Sequence, residues 1–140
     1  MNRLLVILSS FLICGCELVV VGTRADFATQ NYVEFNQKSA LGAIYLFKAE
    51  LDSNNVPAAS QMIKQEDGMA YLAIERYEKF YDIHRIKRMI SLAEITDIKA
   101  DTLSSNQMRY NLEFNFRRKL FFNALKVENN WFITDMGNYE

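Results

Sequence analysis

His84 is the only histidine in the chain, and Asp82 stands two residues before it. Such a pair has the makings of a general base oriented by a carboxylate. One imidazole excludes every site that needs two. The surrounding Asp82-Ile83-His84-Arg85-Ile86-Lys87-Arg88 interleaves polar residues with isoleucines. As extended chain, it sets His84 on the solvent side with Asp82 and away from any nucleophile. The only two cysteines, Cys14 and Cys16, lie together near the start, and the acids are scattered. That supplies no metal-ligand spacing, so neither a metal nor a cofactor is expected. No glycine-rich phosphate cradle or nucleophile elbow is present. Two basic clusters remain, Arg85-Lys87-Arg88 and Arg117-Arg118-Lys119. They read either as solvated edges that resist strand-to-strand pairing or as contacts for an acidic partner or anionic lipid. With 16 Lys plus Arg against 17 Asp plus Glu, the chain lacks the basic excess of a nucleic-acid-binding domain, and no nucleic acid is expected.

The first residues suggest an address. Arg3 supplies a positive charge, and Leu4 to Leu12 form an apolar stretch. That stretch falls short of the roughly 20 residues a membrane-crossing helix takes. This order is that of a secretory signal peptide. Ile13-Cys14-Gly15-Cys16 follows and resembles the lipobox of bacterial lipoproteins: an aliphatic residue, a tolerant position, a small residue and the cysteine that receives lipid. Cys16 matches the lipidated position and Gly15 the residue before cleavage. Ile13 stands where leucine is commoner, and Cys14 fits the lipidated position less well. The resemblance implies a signal peptide over 1–15, a lipidated cysteine and tether over 16–37, and palmitate on the mature protein. It places the domain on a membrane of the cell envelope, at the periplasmic face or cell surface. The alternative is an uncleaved anchor from Leu4 through Val21. Glu17 interrupts it, and an acid of this kind at the centre of a membrane helix costs roughly 2.5–3.5 kcal/mol. A chain beginning at Cys16 has no second thiol, so its core must hold without a disulfide.

The 140 residues leave room for one domain, expected over 38–140. Leu41, Ile44, Phe47 and Leu51 recur at helical spacing within Ser39 to Leu51, and Asp52-Ser53-Asn54-Asn55 stops that helix. Pro57 suits the first turn of a second, short helix. A third carries Ala70, Ile74, Tyr77 and Tyr81 as a stripe expected to lie on a partner layer, with Glu75 and Lys79 as an i,i+4 pair. After Ile83 the period changes to two. Met89 to Ala100 reads as a strand whose alternation slips at a bulge or bend. Gln107 to Arg117 alternates throughout, with Met108, Tyr110, Leu112, Phe114 and Phe116 facing a core. Leu120 to Val127 and Trp131 to Met136 complete four strands, with Asn129-Asn130 as the last two-residue turn. Helices first and strands after imply an α+β fold, with the helices on one face of an antiparallel meander.

This order resembles the nuclear-transport-factor-2-like superfamily over about residues 38–136, particularly its small, uncharacterised lipoproteins. The local marks are Ala49-Glu50-Leu51-Asp52-Ser53-Asn54-Asn55 and the terminal Lys126-Val127-Glu128-Asn129-Asn130-Trp131-Phe132-Ile133. A cystatin-like fold reads similarly. The resemblance implies a curved, cone-like sheet of about four strands with a cavity under the helices. The superfamily's pocketed enzymes set an Asp or His base opposite a Tyr or protonated acid. Carried over, it makes Asp97 and His84 candidate bases and Tyr71, Tyr77, Tyr81 and Tyr110 candidate polarising or lining groups, with Trp131 a further lining residue. Tyrosines at such spacing also serve as core aromatics. No catalytic constellation assembles from these residues. The expected function is therefore a lipid-anchored, non-catalytic binding or interaction domain, with an envelope protein as a possible partner. Small hydrophobic-ligand binding in the cone is the alternative, and an isomerase- or dehydratase-like enzyme comes third.

Overall fold

The structure, a computed structural model, describes residues 33–139. The first helix, α1 (Ala40–Asp52), starts where the Ser39 hydroxyl accepts the Gly42 amide at 3.0 Å. This side-chain acceptor satisfies one of the orphan donors of the first turn. Ala40, Ile44, Phe47 and Leu51 recur every three or four residues, and all are buried. Asn54 turns the chain at φ +64, and Asn55 caps α2 (Val56–Gln61), with Pro57 in the first turn where no N–H is needed. Met62 to Lys64 then run beside the last strand. The Ile133 amide donates to the Met62 carbonyl and the Lys64 amide to the Ile133 carbonyl, each at 2.9 Å.

The third helix, α3 (Ala73–Ile90), departs from the sequence expectation in three ways. It continues through His84 to Ile90, so the segment expected to be extended is helical. Its buried row is Ile83, Ile86 and Ile90, at spacings of three and four, whereas Ile74, Tyr77 and Tyr81 are exposed. Interleaved isoleucines satisfied both periods, and the deeper isoleucine row went to the core. Finally, Glu75 does not pair with Lys79: its carboxylate accepts from the Leu72 amide at 2.8 Å and the Gln65 side chain at 3.2 Å. Lys79 stands 3.7 Å from Asp82.

Four antiparallel strands follow in sequential order: β1 (Ile95–Ser104), β2 (Gln107–Phe114), β3 (Arg118–Val127) and β4 (Asn130–Asn138). The core forms where α1 covers one sheet face, with α2 and the isoleucine row of α3 packed behind it. Tyr110, Leu112 and Phe114 of β2 join Leu120, Phe122 and Ala124 of β3 and Trp131 and Ile133 of β4. Phe47 of α1 meets Phe122 edge-on at 6.3 Å, a favoured aromatic geometry. The slipped alternation before Ala100 resolves into two features. Met89 and Ile90 belong to α3, and a register shift lies between Ile95 and Asp97. The alternation of β2 ends at Phe114, so Phe116 leaves the core and stands exposed in the β2–β3 turn. The β3–β4 turn falls on Glu128 and Asn129, one residue earlier than expected, because Val127 and Asn130 already pair.

The α+β layering is as described, but the cone is not. The sheet is open, with β1 and β4 as its two ends, neither closed nor curled around a cavity. Two features explain this. From Asp97 onward every residue of β1 is exposed, so no apolar face draws it round toward the helices. The free edge of β4 is met by Met62–Lys64 instead of by another strand. The open sheet overturns the resemblance to nuclear-transport-factor-2-like proteins and to their small lipoproteins, and the cone pocket goes with it. The lipobox and leader expectations rest on residues outside those described, and nothing in the structure supports them.

Candidate functional site

A groove of about 370 Å³ opens to solvent where α2 packs against α3. Tyr77, Phe80, Tyr81 and His84 line it from α3, and Val56 and Pro57 from the start of α2. Spacings of three and four put the α3 residues on one side of that helix, while Ile83 and Ile86 hold the opposite side in the core. Tyr77 and Tyr81 are 61% and 71% exposed, and their rings stand perpendicular at 6.1 Å. Ile74 extends the same exposed row by one turn. The lining is thus mostly aromatic and aliphatic, with a single imidazole at one end.

Asp82 does not orient that imidazole. Its carboxylate meets Arg85 at 3.4 Å and Lys79 at 3.7 Å, and among the described residues His84 has no carboxylate partner. Helical geometry is the reason, because residues two apart lie on different sides of a helix.

The other singled-out residues are dispersed. Tyr71 is half-buried, with the Lys79 ammonium 5.5 Å from its ring centre. Tyr110 packs inside the core, its hydroxyl 3.7 Å from the Met108 sulfur, and burial pushes its phenol pKa above the ordinary value. Trp131 is also buried in the core, on β4. Asp97 stands exposed on β1, beside Lys99, Asn111, Glu113 and Lys119 in a small cleft of about 40 Å³. Arg117, Arg118 and Lys119 are exposed at the β2–β3 turn and the start of β3, and Arg118 donates to the Met89 carbonyl at 3.0 Å. Cys16 lies outside the described residues.

The structure therefore brings Tyr77, Tyr81 and His84 together, but leaves Tyr110 and Trp131 in the core and Asp97 on the far strand. Among the described residues, no three His, Cys, Asp or Glu side chains gather as metal ligands would. Val56, Pro57 and Phe80 were not singled out as site residues from sequence. Pro57 signalled only a helix start. No protein-family model matches the sequence, and a search of the curated proteins finds no match.

Proposed function

We propose that this chain is a non-catalytic binding or interaction domain, held by lipid on Cys16 to a membrane of the cell envelope, outside the cytoplasm. The observation that carries the binding role is the exposed row Ile74, Tyr77 and Tyr81 beside Pro57. Large apolar side chains presented contiguously mark contact surfaces more often than idle ones. Aromatic residues supply most of the contact energy in such surfaces. The anchor rests on Ile13-Cys14-Gly15-Cys16.

Complementation of a strain lacking the gene tests both parts. Replacing Tyr77 and Tyr81 together by serine is expected to abolish function in a protein that still folds, because neither ring is part of the core. His84→Ala is expected to retain function. Loss of function in a folded His84→Ala protein overturns the non-catalytic reading and brings an enzyme forward. Cys16→Ser is expected to abolish labelling by a fatty-acid analogue and to release the protein from the membrane fraction. Persistent labelling moves the lipid to Cys14, and membrane retention without label favours an uncleaved anchor.

A small apolar ligand is the second reading, favoured by the groove's volume. Sites for such molecules run from roughly 300 to 1,000 Å³. Native mass spectrometry of the full chain separates the two readings. A bound small molecule that disappears in Tyr77→Ser selects the ligand.

A further inference from the structure

Leu92 and Phe116, 84% and 79% exposed, are the two most exposed large apolar side chains among the described residues. Both hold left-handed backbone, at φ 58 and 55, a conformation that residues carrying a Cβ seldom adopt. They stand at one end of the sheet, in the loop before β1 and the turn after β2. Ile95 and Phe114 are register partners there. Hydrogen bonds lace this end together. Asn115 and Glu94 exchange two bonds of 2.9 Å, the Phe116 amide donates to the Thr96 hydroxyl at 3.1 Å, and the Leu92 amide donates to the Asp52 carboxylate at 2.8 Å. These bonds fix the backbone that presents both side chains to solvent.

Cations ring the same end. Arg88, Arg117, Arg118 and Lys119 are exposed, and among the described residues none of them joins an ion pair. The acids nearby equal them in number, since exposed Asp97 shares a small cleft with Lys119, but they are partly engaged. Asp52 is bound by Lys48 at 2.5 Å and by the Leu92 amide, Glu113 lies opposite Lys119 in register, and Glu94 is exposed.

We infer that this end is a membrane-contacting tip. Leu92 and Phe116 enter the headgroup region of an anionic bilayer while Arg88, Arg117, Arg118 and Lys119 meet its phosphates. Apolar side chains ringed by Lys and Arg match an interface that is apolar below and negatively charged above. The inference rests on the envelope placement proposed above and adds the surface by which the domain lies against its own membrane. Chain length allows it. The residues ahead of α1 dock at the opposite end of the sheet, where Gln37 meets Trp131 at the start of β4. A ten-residue strand such as β1 spans about 33 Å. The stretch from Cys16 to Val33 reaches at most about 60 Å, enough to let the far end touch the surface that carries the anchor.

The test uses the full chain, matured in its host and reconstituted into vesicles. One set is phosphatidylcholine alone and the other mixes in phosphatidylglycerol, each with brominated acyl chains that quench indole on contact. Phe116→Trp and, separately, Leu92→Trp report tip depth, while buried Trp131 serves as an unquenched internal reference. Both introduced indoles are expected to shift to the blue and be quenched on the mixed vesicles, weakly on phosphatidylcholine, and less as salt is raised. Removing Arg117, Arg118 and Lys119 by alanine lowers the tip's occupancy about fivefold per cation. A protein that floats with both vesicle types while both indoles stay unquenched overturns the inference and leaves the cations to an acidic protein. Failure to float with phosphatidylcholine alone removes the lipid anchor instead. Quenching on the mixed vesicles then upholds the tip without it, and its absence overturns both.

Discussion

Gln37 and Trp131, 94 positions apart, exchange two hydrogen bonds. The Trp131 amide donates to the Gln37 carbonyl at 2.8 Å, and the Gln37 side chain donates to the Trp131 carbonyl at 3.0 Å. Lys38 adds a bond to the Asn130 side chain at 3.0 Å. The chain ahead of α1 is thereby fixed to the start of β4. Gln37→Ala removes one of the two bonds and is expected to cost about 0.5–1.5 kcal/mol. Trp131→Ala empties a core position and is expected to cost roughly 3–5 kcal/mol. Urea denaturation measures both, and the double variant is expected to lose about the sum, because both bonds reach the Trp131 backbone, which alanine keeps.

Gly42 is held by close approach. A Cβ placed there would lie 2.6 Å from the carbonyl oxygens of both Glu34 and Asn36 and 2.7 Å from the Ser39 hydroxyl. Two of those atoms are backbone and cannot swing aside. Gly42→Ala therefore gains helix propensity but forces the leading segment off α1. A net loss of about 1–3 kcal/mol is expected, as for other overpacked sites. A thermal melt at or above the wild-type midpoint would show that residues 34–36 are free to move away.

The alternation of β2 sets up a sharper comparison. Phe114 is buried, so Phe114→Ala is expected to cost roughly 3–5 kcal/mol. Its neighbour Asn115 is exposed, yet it is no idle surface residue. It turns the chain at φ 50, and its side-chain carbonyl accepts the Glu94 amide. Asn tolerates left-handed backbone better than other residues with a Cβ. Asn115→Ala loses both roles and is expected to cost about 1 kcal/mol. Asn115→Gly keeps the conformation and loses only the bond. Equal stability of the Ala and Gly variants in urea would show that backbone strain plays no part.

These residues also show where the sequence was readable. The run from Met108 to Phe114 placed every other side chain correctly, because one buried face and one wet face leave only one register. The pattern stayed periodic through Phe116 while the chain had already turned, and periodicity cannot report a positive φ. Helix α1 was legible because its apolar row holds helical spacing, and Ile44, Phe47 and Leu51 of that row are all buried. Helix α3 was misread because Ile83, Ile86 and Ile90 compete with Ile74, Tyr77 and Tyr81, and only tertiary packing decides which row is covered. The open sheet was not legible at all. Closure depends on whether β1 finds something to cover it, and a polar strand of that length is as compatible with a solvated edge as with a curled wall. The groove was half visible: its tyrosines stood out, but Pro57 joins them only through the packing of α2 on α3.

Two phenols, Tyr110 in the core and the half-buried Tyr45, give the chain a signature in alkali. Burial raises the Tyr110 and Tyr45 pKa values above the ordinary 10.0, because the charged phenolate is poorly solvated where each ring sits. The Tyr45 ring also packs against Phe35 at 5.6 Å. In the unfolded chain both phenols ionise near 10. Between that value and the raised native one, the folded state holds more protons than the unfolded. Stability must then fall as pH rises through the window, whereas below the unfolded pKa the contribution is fully present. Phenolate absorbance followed during an alkaline titration is expected to show a phase later than that of the exposed tyrosines. Replacing Tyr45 and Tyr110 together by phenylalanine is expected to remove that phase and to flatten the fall of stability with pH. If the late absorbance persists in the double variant, the raised pKa values belong to other tyrosines.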